Sequence, residues 1–332
     1  MKIKTVIVVG IFLLTILIII MAAVFKYDSF KKEKIRIALV IKTINPNNDF
    51  WQIVLAGAEI AAKELNVELE INGPALEKNI EEQIDIIEEI IKTKPYAIIL
   101  AACDVDALVP VAEKIVEQKI VLVTVDSGIN SSIPSSFIAT DNFKGGEILG
   151  AEMEELLSPG DSVIIISHVQ GTLTAIERER GVRSIIEKNG KLDIVGTYFC
   201  DNLEENAYDI TLDVINSNME IKGIIALNAI STVGTAQAID NSDLKDEIFL
   251  VGFDNSFEEL QFLEQGVIKA LIVQKPFNMG YISVKTVVDI LNGKSVISRI
   301  DTGLVLINLL NINSPENQKL IFPLPIITEL AE

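Results

Sequence analysis

Two carboxylates close apolar runs in this chain, and their placement raises the prospect of acid–base chemistry. Asp126 ends the run in VLVTVDSG (121–128) and Asp254 follows IFLVGF (248–253). Such a pair can act as general acid and base in a hydrolase, or it can accept hydrogen bonds from the hydroxyls of a ligand that is held and not turned over. The rest of a hydrolytic or nucleophilic centre is missing. There is one histidine, His168 in SHVQG, and the two cysteines, Cys103 and Cys200, lie far from each other without metal-type spacing. They read as small buried residues. No G-x-S-x-G elbow, G-x-G-x-x-G loop or G-x-x-x-x-G-K-[ST] loop occurs, so neither a dinucleotide nor a nucleoside triphosphate site is indicated. Binding without catalysis is the economical reading: no catalytic residue, no cofactor and no metal.

Other residues suit the same purpose. Phe50 and Trp51, the latter the only tryptophan, follow NPNND at a predicted helix start. They either pack as a staple or offer flat apolar faces to the C–H side of a sugar ring. In GTLTAIERERGVRS (171–184), Thr174 and Glu177 suggest a capping box, and one arginine near the helix start could donate paired hydrogen bonds to ligand oxygens. Spacing alone does not choose between Arg178 and Arg180. Lys42, at the end of the first apolar run, fits a salt bridge to a neighbouring acid better than a contact with an anionic ligand.

The elements that must position these residues alternate. Apolar runs at 35–41, 67–71, 97–102, 120–125, 162–167, 223–228, 248–253 and 268–274 are separated by segments of helical period. One such segment sets Ile80, Ile84, Ile87 and Ile91 on a stripe opposite acids. Strand–helix–strand alternation at this spacing implies parallel sheets wrapped by helices, and about eight strands over this length fit two doubly wound lobes. Ligands bind beyond the carboxyl ends of such strands. Here one strand after another closes on polar residues: Lys42 to Asp49, Asp126, Ser167 and His168, Asn228, Asp254 and Gln274. One acid could be a helix cap, as Ser256 and Glu259 beside Asp254 suggest; six polar strand ends indicate a cleft.

The chain has 332 residues, 49% hydrophobic, with net charge −19. Its first 34 residues carry +4, leaving −23 on the body, a poor partner for nucleic acid phosphates. Residues 5–24, TVIVVGIFLLTILIIIMAAV, are uncharged and long enough to span a bilayer. No clean A-x-A-like cleavage site and no lipid-bearing cysteine follow, so this segment reads as an uncleaved signal anchor in preference to the alternative, a removed signal peptide. The body is then expected outside the cytoplasm, at the cell membrane.

Taken in order, NNDFWQIVLAGAEIAAKEL, VTVDSGI, FIATDN, GTLTAIERERG, ALNAISTVGTAQAI, VGFDNS and IVQKPFNMGY resemble the type 1 periplasmic-binding-protein family, in particular the ribose-binding-like sugar-binding components of ABC transporters. The resemblance runs from about residue 35 to about 310. It implies an α/β fold of two Rossmann-like lobes joined by a three-crossing hinge near 139, 275 and 301, preceded here by one N-terminal transmembrane helix. The implied division is a membrane segment and linker at 1–34, a first lobe of 35–139 plus 275–301, and a second of 140–274 plus 302–332. Carried over by motif, the ligand site comprises Asn48, Phe50, Trp51, Asp126 and the adjoining Ser127 on the first lobe. Arg180 (through its R-E-R-G motif), Asn202, Asn228, Asp254 and Gln274 complete it. Three positions depart from the pattern: Ser127 stands where an arginine is usual, Asn202 where an aromatic is usual, and Ala229 where an aspartate is usual. The implied function is reversible binding of a small polar ligand, a monosaccharide in the first instance, for delivery to an ABC permease. The alternative is a receptor presenting its closed state to a membrane sensor kinase or chemoreceptor. A DNA-binding regulator with a similar core is disfavoured by the apolar N-terminus and the acidic body.

Overall fold

A computed structural model describes residues 34–217 and 219–322, with positions 16 and 21 alone from the N-terminal stretch. The apolar run at 5–24 therefore falls outside the described residues apart from those two. Among the described residues no helix is long and apolar enough to cross a membrane.

Two six-stranded sheets organise the body. The first contains β1 (Arg36–Val40), β2 (Glu68–Asn72), β3 (Ala97–Leu100), β4 (Val121–Val125), β5 (Phe137–Ala139) and β11 (Arg299–Asp301), in the order β11-β5-β4-β3-β1-β2. All its pairings are parallel. The second contains β6 (Ser162–Ser167), β7 (Asp193–Phe199), β8 (Ile221–Ala226), β9 (Phe249–Phe253), β10 (Ile268–Val273) and β12 (Val305–Asn308), in the order β12-β10-β9-β8-β6-β7. It is parallel except where β12 runs antiparallel to β10. The chain passes between the sheets after β5, after β10 and after β11.

Central strands read as the uninterrupted apolar runs that burial on both faces demands: β3 is buried throughout, and β4, β9 and β10 nearly so. β7 is half-exposed along its length, and β5 and β11 have three residues each. β7 and β11 are edge strands, and β5, between β11 and β4, is too short to show a strand pattern in sequence.

Helices α1 (Asp49–Glu64), α2 (Ile80–Thr93), α3 (Val109–Glu117) and α9 (Pro276–Leu291) cover the first sheet. On the second sheet lie α4 (Asn142–Leu156), α5 (Leu173–Asn189), α6 (Glu204–Ile215), α7 (Ala229–Asn241), α8 (Phe257–Glu264) and α10 (Pro315–Ile321). The isoleucine stripe of α2 packs as its period predicts, with Ile87 buried and Ile80, Ile84 and Ile91 half-buried against the same core. Ser256 and Glu259 form the capping box at the start of α8. At α5 the cap is Thr172, whose hydroxyl accepts from the Ala175 N–H, so the expected Thr174–Glu177 box gives way to a cap two residues earlier.

Each lobe contains one helix crossing set by a pair of glycines. In the first, α1 meets α9: a Cβ on Gly57 would lie 2.1 Å from the Phe277 carbonyl oxygen, and one on Gly280 would lie 1.8 Å from that of Val54. In the second, α4 meets α5: a Cβ on Gly146 would lie 2.1 Å from the Arg178 carbonyl oxygen, and one on Gly181 the same distance from that of Phe143. Backbone against backbone leaves no flexible side chain to yield. Gly280→Ala should therefore lower the unfolding free energy by about 1–3 kcal/mol, measured by urea denaturation; an unchanged midpoint would show that the crossing can widen freely.

Candidate functional site

The two strand-end carboxylates occupy unusual backbone. Asp126 follows β4 with φ +59° and Asp254 follows β9 with φ +86°, a region uncommon for residues with a side chain. Both turns are fixed from the neighbouring strand: the Asp126 N–H donates to the Ile138 carbonyl (2.9 Å) and the Asp254 N–H to that of Ile272 (2.8 Å). Strain of this kind concentrates at functional sites because surrounding structure must over-determine it. Here it turns the chain sharply at the strand tip and leaves each carboxylate in the cleft.

On the first-lobe side, Lys42 Nζ lies 2.8 Å from Glu77 and 3.1 Å from Asp126, with all three side chains almost wholly buried. The ammonium also stands 5.9 Å from the centre of the Trp51 ring. Burial by itself would lower the lysine pKa; Asp126 and Glu77 outweigh it and hold the group above the usual lysine range. Trp51 is buried and packs edge-on against Phe50 at 5.2 Å. Asn48 caps α1, its carbonyl oxygen accepting from the Trp51 N–H at 3.2 Å, which fixes where both aromatics enter.

On the second-lobe side, Asp254 accepts from Gln274 Nε2 (2.6 Å) and from the Ala229 N–H (3.1 Å). Burial raises its pKa against the opposing charge of Arg178. Arg178 donates from Nε to Asn142 Oδ1 (2.8 Å) and from Nη1 to the Leu227 carbonyl (2.7 Å), and its guanidinium lies 3.7 Å over the Phe253 ring. His168 Nε2 is held by the hydroxyls of Thr174 (2.9 Å) and Thr172 (3.1 Å). Burial, with Lys42 and Arg178 close by, pushes its pKa well down, so the imidazole is neutral at physiological pH.

The sides meet. Asn228, the cap of α7, donates to Asn202 Oδ1 (2.7 Å), and Asn202 donates to Glu77 Oε2 (2.8 Å), from second lobe to first. Lys78 pairs with Asp201 at 3.3 Å, and the Val105 N–H donates to the Gly171 carbonyl at 2.9 Å. The space among the cleft groups is about 40 Å³. A wider space of about 370 Å³ adjoins it past Phe50 and Asp254.

Of the residues expected at the ligand, the structure gathers Asn48, Phe50, Trp51 and Asp126 with Asn202, Asn228, Asp254 and Gln274 around this one space. It does not bring in Ser127 or Arg180. Ser127 is buried, and its hydroxyl accepts from the Leu173 N–H at the start of α5. Arg180 is exposed, 5.7 Å from the Phe143 ring. The arginine in the cleft is Arg178. The helical period contains the signal that separates them: Arg178 shares a buried face with Thr174, Ala175, Val182 and Ile186, and Arg180 lies about 200° around the helix from it. Lys42, Glu77, His168 and Thr174 also line the space. Glu77 carried no motif, and only its fold places it there.

Chemically, the arrangement offers charged and amide hydrogen-bonding groups beside aromatic faces, and no activated nucleophile. Burial pushes the Cys103 thiol up, and that of Cys200 to about 11, so neither is a thiolate at neutral pH. Among the described residues no cluster of ligating side chains could hold a metal ion.

Comparison with known proteins places this geometry in context. The periplasmic binding protein domain matches residues 37–295. The D-ribose/D-allose-binding protein of Pseudomonas aeruginosa is 28% identical over 271 residues, covering 79% of this chain and 84% of that protein. A carbohydrate-transporter solute-binding protein of Agrobacterium radiobacter, solved with D-arabinose, superposes with a TM-score of 0.83 at 30% identity, covering 88% of this chain and all of that one. An ABC-transporter solute-binding protein of Agrobacterium vitis, solved with D-fucose, gives 0.83 at 32% identity over 86% of this chain and 99% of that one.

Exchanging the two arginines tests the site. Arg178→Ala should weaken ligand binding by more than about 2 kcal/mol, because buried charged and polar partners lose their donor, while Arg180→Ala should change it by less than about 0.5 kcal/mol. Isothermal titration of both variants decides; equal losses would return Arg180 to the site.

Proposed function

The chain belongs to the periplasmic binding protein domain family, and from that premise we propose that it is an extracytoplasmic receptor for a monosaccharide, serving an ABC transporter. It is a binding protein and not an enzyme, as its relatives are sugar-binding components of transport systems. The observation that carries the sugar reading is the convergence of Asp126 and Asp254, one from each sheet, on a space also lined by Trp51, Arg178, Asn228 and Gln274. Carboxylates and amides suit hydroxyl groups, a guanidinium suits ring and hydroxyl oxygens, and the Trp51 and Phe50 rings suit the C–H face of a pyranose or furanose.

The passages of the chain between the sheets form a hinge, near 139, 275 and 301, between a lobe of 35–139 plus 275–301 and a lobe of 140–274 plus 302–332. The cleft space is narrow with the lobes in contact, and parting of the lobes about this hinge would widen it for entry and release of a sugar. The run at 5–24 acts as a membrane anchor that keeps the body tethered outside the cytoplasm; its length and lack of charge support this.

The same anchor supports a second reading, in which the closed form docks on a membrane sensor instead of a permease. Adjacent permease and ATPase genes would favour transport, and an adjacent kinase gene would favour sensing.

Trp51 is the only tryptophan and stands in the cleft, so its emission reports on the site. Titration of pentoses, hexoses and 6-deoxyhexoses should give a saturable emission change with one sugar class. The same sugar at about 100 times its Kd should stabilise the fold by roughly 2.7 kcal/mol, read as a rise in Tm. Silence in both signals across the panel would refute the sugar reading.

A further inference from the structure

We propose that the Lys42–Glu77 ion pair is the charge filter of the cleft, admitting uncharged polyhydroxy ligands and excluding sugars that carry a carboxylate or phosphate. The inference rests on the sugar-receptor reading and adds to it two residues with an assigned task.

A lysine inside a ligand cleft would ordinarily suggest an anionic ligand. Here its charge is already committed to two carboxylates, at 2.8 and 3.1 Å. A ligand anion that approached Lys42 Nζ would meet one attraction and two repulsions at comparable range, in a desolvated setting where like charges cost several kcal/mol. The other cation is partly committed: Arg178 has Nε and Nη1 engaged by Asn142 and the Leu227 carbonyl, which leaves Nη2 to donate to a ligand oxygen, and Asp254 in the same space opposes a ligand anion there. Three carboxyl groups, Glu77, Asp126 and Asp254, stand against two cations, Lys42 and Arg178, around the space.

The hydrogen-bonding inventory points the same way. Gln274 is 2% exposed; its Nε2 is fixed on Asp254, which turns Oε1 into an acceptor without a partner among the described residues. A ligand hydroxyl supplies the proton that this acceptor requires, and a carboxylate or phosphate group placed at this point would not, so an anionic group has no seat at Gln274. Glu77 also takes the cross-lobe hydrogen bond from Asn202, so the pair stands where the lobes meet and acts as the cleft closes.

The test uses the full-length chain in detergent and isothermal titration. Neutral D-ribose, D-arabinose and D-galactose are compared with their charged counterparts D-ribose 5-phosphate, D-arabinonate and D-galacturonate, and with D-galactosamine. The wild-type protein should bind a neutral sugar at least about 100-fold more tightly than its anionic counterpart, and D-galactosamine should not share that penalty relative to D-galactose. Glu77→Gln, which frees one side of Lys42, should narrow the neutral-to-anionic ratio by about tenfold or more. Lys42→Ala should lose affinity for the neutral sugar, and added ethylammonium should restore part of it by refilling the cation position. Wild-type binding of an anionic sugar within tenfold of its neutral counterpart would overturn the filter and leave the receptor reading intact. A folded Glu77→Gln protein with an unchanged ratio would do the same. No saturable binding by the wild type to any member of the panel would overturn both.

Discussion

Five ionisable side chains share one desolvated space in this protein, and the need to balance them constrains everything around it. A carboxylate or ammonium taken out of water alone is penalised far beyond what one contact returns, and it persists only when opposed and hydrogen-bonded. Lys42 between Glu77 and Asp126 meets that condition on one side of the cleft. Arg178, anchored by Asn142 and the Leu227 carbonyl and opposed by Asp254, meets it on the other. Remove Lys42 and Glu77 and Asp126 face each other without relief; remove Arg178 and buried Asp254 loses the charge that opposes it.

Balance at this scale requires placement to within fractions of an ångström, and the backbone supplies it at two levels. Strained turns at Asp126 and Asp254 aim the acids, each held by a hydrogen bond from its own N–H to the adjacent strand. Beneath them the glycine crossings fix the helices. Gly146 rests against the carbonyl of Arg178 itself, so the contact that locks α4 on α5 also locates the cleft guanidinium. Core packing and binding geometry are here one constraint.

Much of this was legible in the sequence where a local signal existed. Buried central strands show as unbroken apolar runs, the α2 stripe as a 3.6-residue period, and the polar strand ends as a procession of Asp, Asn, Gln and Lys. Legibility failed where the information is non-local. β7 and β11 are edge strands with a weak apolar pattern, β5 has only three residues, and β11 is defined by pairing with β5, far earlier in the chain. Glu77 sits in a loop with no motif and reaches the cleft because β2 lies beside β1. The R-E-R-G motif points to Arg180, whereas the buried face of α5 carries Arg178 into the cleft.

The bonds between lobes have an implication for how faithfully closure reports occupancy. Asn202 to Glu77, Lys78 to Asp201 and Val105 to Gly171 join protein to protein, so part of the free energy of closure is independent of what lies in the cleft. Ligand then has only the remainder to supply, and a small molecule with few contacts suffices to tip the equilibrium. The same arithmetic shrinks the difference between loaded and unloaded populations. A membrane partner that recognises the closed form would therefore receive a sensitive signal with a raised background.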